Sequence, residues 1–443
     1  MKPKCTHMAS FLAVALLATA CSAKIPTGQD NIPAADESFP AKVHVDGISE
    51  ALESDLLAMV SADEIPGAIA IIELDGVRLA DVRVGYLDVA SGAELPENAI
   101  FRLYSMSKPI TSAAILMLRD QGKLQLDDPV EKYLPALADM QVFVDGTVDD
   151  MELEAAARSI TIADLLTHTS GIAYHFTGNT PVHQYYRKHG VMRDTPVGRT
   201  PQDGPPARNL TELVERIGDA PLLYQPGEAF EYSYSTTVLG AVIESVSGQR
   251  LNQFLDQNVF QPLDMSDTGF FVPDEDLNRF VTGYVASDDG IDVIEEVEES
   301  DYRDTSRLLD GGGAIAGTAQ DYLNFATMLA QEGLYKDRQI LSPKSVEEMF
   351  TPHVEINGLG STATPFGYGV AIGTDESASL GLQPIGTVSW SGSGNTYFFV
   401  DPEHDLVALL MTHEIIPPPY TDRTAKLRKL INDAAIALAA EAE

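Results

Sequence analysis

Two side chains three residues apart, Ser105 and Lys108, have the types and spacing for nucleophilic catalysis. They lie in YSMSKP (residues 104–109), ahead of an apolar-periodic run, so the pattern predicts that they begin a helix and share one face of it. There the serine alkoxide would lie near the positive helix end, with the serine N–H free to bind an oxyanion. A partly desolvated lysine can have a lowered pKa and hold a proton relay together. Alone, however, S-x-x-K is common by chance.

A tyrosine and a late glycine-containing segment are the candidate partners of this pair. Tyr232 opens a predicted helix in QPGEAFEYSYSTTVLG, and a tyrosine whose pKa is lowered by the lysine could act as general base for Ser105. The segment WSGS (residues 390–393) lies between predicted strands, where Gly392 would allow close approach to a substrate and the Ser393 N–H would donate to an oxyanion. Taken singly, these features are also typical of a helix start and of a glycine bulge.

In this order, the three motifs and the blocks around them resemble the serine β-lactamase and penicillin-binding superfamily, and more narrowly class C β-lactamases and family VIII carboxylesterases. The resemblance covers roughly residues 47–440. It implies Ser105 as nucleophile, Lys108 and Tyr232 as its activators, and the backbone N–H groups of Ser105 and Ser393 as oxyanion hole, without metal or cofactor. The blocks are RLYSMSKPITSAAILMLRDQGKLQLDDPVEKYLPAL, ITIADLLTHTSGI, PGEAFEYSYSTTVLGAVIESVSG, FQPLDMSDTGF and GGGAIAGTAQDYLNFATML.

Two departures from the family pattern bear on the substrate. The third motif of such β-lactamases reads K-T-G and binds the β-lactam carboxylate, whereas this chain has Trp390, Ser391 and Gly392. The family's tyrosine motif usually ends in Asn, and that place is Tyr234 here. Both changes remove polar recognition of a penicillin, and a Trp-type third motif is similar to that of family VIII esterases. We therefore expect these four residues to contact substrate, and small to medium acyl esters to be hydrolysed through an acyl-enzyme, with weak β-lactam turnover.

Alternative functions stay open at this point. The chain could be a β-lactamase or a peptidoglycan DD-peptidase, or a non-enzymatic penicillin-binding-like sensor that traps an acyl group. No G-x-S-x-G motif supports an α/β-hydrolase triad. His168 is typical of a structural histidine, and the other histidines near it lack a spacing typical of zinc ligands, so no metal site is predicted.

The surrounding elements predict an α/β fold of the β-lactamase/transpeptidase type. A helix at 47–62 precedes a hairpin turning at Asp75-Gly76, and alternating strands return late in the chain before a helix at 422–441. Between them lie helices and an aperiodic segment, Tyr174–Pro206, expected to wall a cleft. We expect an antiparallel sheet flanked by helices plus an inserted, mostly helical domain, with the active site between them. The predicted boundaries are 43–104 and 311–443 for the α/β domain and 105–310 for the helical domain.

Composition limits the partners. The chain has 66 acidic against 29 basic residues and a net charge of −37, so nucleic acid and anionic lipid surfaces are disfavoured and the predicted partner is a small-molecule ester. The composition leaves the oligomeric state undetermined. Both cysteines, Cys5 and Cys21, lie near the N-terminus, so we expect neither a disulfide nor a thiolate metal site in the folded body.

The N-terminus reads as a targeting segment. Two lysines precede the short apolar run FLAVALLATA, which predicts a signal peptide over residues 1–20. Cys21 follows at once and looks like the lipidated cysteine of a bacterial lipoprotein, and residues 21–42 read as a flexible tether. The sequence thus predicts export to the periplasm with a lipid anchor at Cys21, or otherwise secretion.

Overall fold

The computed structural model describes residues 45–194, 200–287, 290–357, 363–415 and 422–442. These residues belong to one compact unit, Val43–Glu443. The predicted signal peptide, the tether and Cys21 lie outside the described residues. Within the described ranges, no helix is long and apolar enough to cross a membrane.

A nine-stranded sheet, antiparallel throughout, forms the centre of the unit, in the order β12-β13-β14-β15-β16-β17-β1-β2-β3. The first and last parts of the chain meet in it, because β1 pairs with β17. The strands are β1 (Gly67–Leu74), β2 (Val77–Asp88), β3 (Ala93–Glu94), β4 (Ile100–Arg102), β5 (Gln141–Thr147), β6 (Asp150–Ala155), β7 (Gly283–Ser287), β8 (Gly290–Glu295), β9 (Ala316–Thr318), β10 (Leu334–Tyr335), β11 (Arg338–Gln339), β12 (Val354–Asn357), β13 (Ala363–Phe366), β14 (Ala371–Ile372), β15 (Val388–Ser391), β16 (Tyr397–Asp401), β17 (Leu406–Thr412) and β18 (Glu414–Ile415).

Helices cover both faces of the sheet. The first and last helices pack together on one face, and α8 packs against β16 and β17. The helices are α1 (Val45–Ser61), α2 (Ser107–Asp120), α3 (Ile162–Leu166), α4 (Pro181–Lys188), α5 (Leu210–Gly218), α6 (Ser235–Ser247), α7 (Leu251–Leu255), α8 (Ala319–Ala330), α9 (Pro343–Phe350), α10 (Asp375–Ser379) and α11 (Asp422–Ala442).

Strand β1 shows why the sheet is buried on both sides. Successive side chains of a strand point to opposite faces, so Ala70 and Ile72 enter the cluster under α1 and α11, whereas Ile69 and Ile71 enter the larger core that contains α2 and α8. Because β1 is apolar at every position from Ala68 to Ile72, this part of the strand needs helices on both faces of the sheet. The expected architecture, an antiparallel sheet flanked by helices, is confirmed.

The local elements predicted at both ends of the chain are confirmed, and one is corrected. β1 and β2 pair across Asp75-Gly76, and α1 and α11 occupy the predicted helical stretches. The segment Tyr174–Pro206, expected to be aperiodic, contains α4. This helix has only eight residues and begins with a proline after Thr180, so its period is too short to stand out between glycines and prolines.

The stretch 105–310 contains α2 to α7, and also the hairpins β5-β6 and β7-β8. Because residues 43–443 form one compact unit, the predicted division at 104/105 and 310/311 stays a prediction. One strand pairing joins the chain before the first predicted boundary to the chain after the second, and this pairing positions the site. β4 pairs with β9, and the Leu103 N–H donates to the Ile315 carbonyl at 2.9 Å, which brings the glycines before β9 beside the start of α2.

Candidate active site

Ser105 lies in a single turn of 3₁₀-helix, Tyr104–Met106, which leads directly into α2. Tyr104 has φ of 45°, in the left-handed region that residues other than glycine rarely adopt. This conformation turns the chain sharply between β4 and the helix. As predicted, Ser105 and Lys108 therefore stand at a helix start, and the Lys108 Nζ donates to the Ser105 Oγ at 3.2 Å.

Lys108 is 0 % exposed. Besides Ser105, its Nζ donates to the Gly312 carbonyl at 2.7 Å. Burial disfavours the charged amine and lowers the pKa of Lys108 to about 7, with the Asp310 carboxylate opposing the shift and the Arg193 guanidinium adding to it. A large share of the amine is thus neutral near neutral pH, so its lone pair can accept a proton.

Tyr232 is the second side chain in contact with the Ser105 Oγ. Its hydroxyl donates to the Ser105 Oγ at 2.8 Å, and the Lys108 Nζ lies 4.5 Å from the centre of its ring. Burial raises the pKa of Tyr232, and the hydrogen bond to Ser105 only partly offsets this. The expected lowering of the tyrosine pKa by the lysine is therefore wrong for the resting site. The same burial that disfavours a phenolate also removes much of the lysine's positive charge.

Gly392 explains how the end of β15 reaches the nucleophile. A Cβ at this position would lie 2.3 Å from the Leu103 carbonyl oxygen and 2.5 Å from the Thr396 Oγ1, so a larger residue would push the strand away. Gly392 also closes a tight turn, because its N–H donates to the Thr396 carbonyl at 2.9 Å. Ser393, the predicted second oxyanion donor, follows directly after this close approach and is partly exposed.

Trp390, in β15, faces an aromatic cluster beside the nucleophile. Its ring lies 5.9 Å from that of Tyr232 and 5.2 Å from that of Phe366, measured between centroids. Trp390 and Ser391 are both partly exposed. The position that carries a lysine in the K-T-G motif is thus occupied by an indole against the tyrosine of the site.

Tyr234 lies deeper than the other predicted substrate contacts. It is 1 % exposed, and its hydroxyl is 2.7 Å from the His175 Nδ1. The centroids of its ring and of the Tyr174 ring are 4.4 Å apart in an edge-to-face arrangement. Its contact with substrate stays a prediction.

His168 is buried with its Nδ1 3.0 Å from the Ser233 Oγ, and burial lowers its pKa well below the usual range. This confirms the prediction of a structural histidine.

Three residues of the site were not predicted from the sequence. The ring of Tyr174 lies 5.5 Å from the Lys108 Nζ and 5.4 Å from the ring of Tyr232. Asp310 and Arg193 form an ion pair at 3.0 Å behind Gly312. A signal for Asp310 was present, because an acidic residue directly before three glycines faces a loop that has no side chains of its own. Nothing in the sequence marks Arg193.

Comparison with known proteins identifies the family. A family model described as Beta-lactamase matches residues 50–433, most of the chain. The chain belongs to the beta-lactamase family. The predicted resemblance to the serine β-lactamase and penicillin-binding superfamily is thereby confirmed, and the fold matches that of the family.

Two relatives of this chain are esterases by name. Esterase EstB of Burkholderia gladioli is 32% identical over 365 residues, covering 78% of this chain and 86% of that protein. Lovastatin esterase of Penicillium rubens is 27% identical over 393 residues, covering 83% and 93%. The solved structure of EstCE1, a hydrolase with promiscuous acyltransferase activity, superposes with a TM-score of 0.72 at 25% identity, covering 88% of this chain and 98% of that one. The chain is accordingly an enzyme, a serine hydrolase of the beta-lactamase family.

Proposed function

We propose that this protein is a carboxylesterase of the family VIII type, which hydrolyses small to medium acyl esters through an acyl-enzyme on Ser105. The observation that carries the proposal is the double hydrogen bond at one oxygen atom. The Ser105 Oγ accepts from both the Lys108 Nζ and the Tyr232 hydroxyl, at 3.2 and 2.8 Å. In its neutral form the amine can accept the Ser105 proton across the same contact, and the phenol can give the leaving group the proton that it needs.

The reaction follows from these contacts. Ser105 Oγ attacks the ester carbonyl while its proton passes to the neutral Lys108 amine, and the oxyanion is held by the backbone N–H groups of Ser105 and Ser393. When the tetrahedral intermediate collapses, Tyr232 gives its proton to the departing alkoxide and regains one from Lys108. Water then attacks the acyl-enzyme and gives a proton to the same groups, the bond between the acyl carbon and the Ser105 Oγ breaks, and these groups return the proton to Oγ as the carboxylic acid leaves.

The surroundings of Trp390 support esters over β-lactams as substrates. A β-lactam carries a carboxylate beside its ring, and the third motif supplies no cation to meet it. The indole instead offers an apolar surface against Tyr232 and Phe366, which suits an uncharged acyl or alcohol group. Two relatives that are esterases by name, EstB and lovastatin esterase, support the same choice.

The test uses the purified full chain and its Ser105→Ala variant, side by side. Both are assayed with p-nitrophenyl acetate, butyrate and octanoate, and with nitrocefin. We expect ester turnover to fall by at least about 10³-fold in the variant, and nitrocefin to be a poor substrate of the wild type. Unchanged ester turnover in Ser105→Ala would disprove the proposal. Fast nitrocefin cleavage would favour a β-lactamase, and a stable adduct without turnover would favour a sensor.

Export is part of the proposal. We propose a lipid anchor at Cys21 on a bacterial membrane, or secretion if Cys21 is not modified. Incorporation of labelled palmitate into the wild type but not into Cys21→Ala supports the anchor, and equal incorporation into both contradicts it.

A further inference from the structure

The acceptor that holds the Lys108 amine is itself fixed from behind by a buried carboxylate. Asp310 is 2 % exposed, and its Oδ1 accepts from the Gly312 N–H at 2.8 Å and from the Thr237 Oγ1 at 2.6 Å. The Gly312 carbonyl in turn accepts from the Lys108 Nζ at 2.7 Å. One glycine therefore connects the carboxylate to the amine, through its N–H on one side and its carbonyl on the other.

Arg193 fixes the same loop from a distant part of the chain. Its Nε lies 3.0 Å from the Asp310 Oδ2, and its Nη2 donates to the Gly313 carbonyl at 3.2 Å. The loop is tightly packed at Gly312, because a Cβ there would lie 3.0 Å from the Thr237 Oγ1 and 3.1 Å from the Asp310 Oδ1. The carbonyl that receives the lysine is thus held in one orientation by a charged pair and by close packing.

We propose that Asp310 and Arg193 are positioning residues for Lys108, which fix the Gly312 carbonyl and, as an oppositely charged pair, balance the electrostatic potential at the amine. This inference rests on the proposed function, because it assigns a task to residues behind the Ser105–Lys108–Tyr232 contact. Neither residue touches the reacting atoms.

The balance follows from the groups around the amine. The Asp310 carboxylate raises the pKa of Lys108 and the Arg193 guanidinium lowers it. The other titratable groups near the amine carry no charge in the resting site, because burial disfavours phenolates and imidazolium there. Removing the carboxylate should therefore lower the pKa of Lys108, and removing the guanidinium should raise it. The uncharged neighbours are the Ser105 hydroxyl, the rings of Tyr174 and Tyr232, and His168.

The experiment measures kcat/KM for p-nitrophenyl butyrate against pH in the wild type, Asp310→Asn and Arg193→Met. The acid limb of this profile reports protonation of the amine in the free enzyme. Asp310→Asn leaves the guanidinium unopposed, so the limb should move down by about 1 pH unit, whereas Arg193→Met should move it up by about 1 unit. In both variants the plateau should fall about tenfold, because the Gly312 carbonyl is held less firmly.

Glu295→Gln is the matched control. It breaks another buried ion pair, Arg102–Glu295, neither member of which is hydrogen-bonded to Lys108 or Gly312. The limb should stay in place in this variant. If Asp310 and Arg193 had a purely structural role, Asp310→Asn and Arg193→Met would lower the plateau but leave their acid limbs at the same pH.

Limbs that do not move, or that move in the same direction in both variants, would overturn the positioning role. If turnover still depends on Ser105 in that case, the proposed function stands, whereas loss of that dependence would overturn the proposed function itself. Circular dichroism checks folding. If Asp310→Asn does not fold, Arg193→Met alone must still move the limb upward for the inference to survive.

Discussion

The fold shifts the pKa values of two buried basic side chains six residues apart, Arg102 and Lys108, in opposite directions. Arg102 is 3 % exposed, donates to the Glu295 carboxylate at 2.8 Å and to the Val281 carbonyl at 2.6 Å, and stacks over the ring of Phe280 at 4.1 Å. The described hydrogen-bond partners of Lys108 are uncharged oxygens. Burial lowers the pKa of both groups, but the Glu295 carboxylate, together with Tyr104 and Tyr302, more than restores that of Arg102, whereas the pKa of Lys108 falls to about 7.

The contrast distinguishes a buried charge that belongs to a structural ion pair from a buried amine that serves catalysis. A buried cation beside a carboxylate stays charged and contributes to stability only while both partners remain. A buried amine whose nearest partners are neutral gives up its proton easily, which is a disadvantage for stability and an advantage for catalysis. Removing each cation should therefore have a different consequence, and three predictions test the contrast.

The largest effect is expected on turnover. Lys108→Met should lower kcat/KM for p-nitrophenyl esters by about 10³-fold, because Ser105 loses its proton acceptor. Lys108→Arg should not restore activity, since a guanidinium stays charged at every accessible pH. A loss below about tenfold in Lys108→Met would show that Tyr232 or water activates the serine alone, and the contrast would fail.

The next effect is expected on stability. Arg102→Met leaves the Glu295 carboxylate buried without its cation, so the free energy of unfolding in urea should fall by about 3 kcal/mol. Protein that remains folded should keep a Ser105-dependent activity. A loss of stability under about 1 kcal/mol would mean that the pair is solvated and is not the counterpart of Lys108 described above.

The smallest effect is expected for the stability of Lys108→Met at pH 7. Removing a desolvated amine favours folding, while the unpaired Gly312 carbonyl opposes it, so the free energy of unfolding should change by less than about 1 kcal/mol. The pH dependence should differ. Between the folded pKa of about 7 and the ordinary value of 10.5, the unfolded chain binds a proton that the folded chain lacks. Wild-type stability should therefore rise with pH relative to the variant, and parallel curves would contradict the lowered pKa.

The sequence was most informative where a pattern is local or repeated. Alternation predicted β1, β2 and the late strands, and the spacing of Ser105 and Lys108 predicted their shared place at a helix start, because both follow from backbone geometry alone. The contact between Ser105 and Tyr232 could be predicted only through the family resemblance, because 127 residues separate them along the chain.

The sequence was least informative where a role depends on long-range packing. The ion pair of Arg193 and Asp310 joins two loops that no periodicity links, and α4 is too short to produce one. The tyrosine pKa was misjudged for the same reason, because the effect of Lys108 on Tyr232 depends on how deeply both are buried. Burial is a property of the assembled core and not of a motif.

The most direct test of this account is an NMR titration of the full chain labelled with ¹³C at lysine Cε. The Cε chemical shift reports the protonation of each lysine amine, and Lys108→Met identifies the signal of Lys108. One lysine signal should titrate near pH 7 in the wild type and be missing from the variant. If every lysine signal titrates near 10.5, Lys108 is charged at neutral pH and cannot accept the proton of Ser105 as described here.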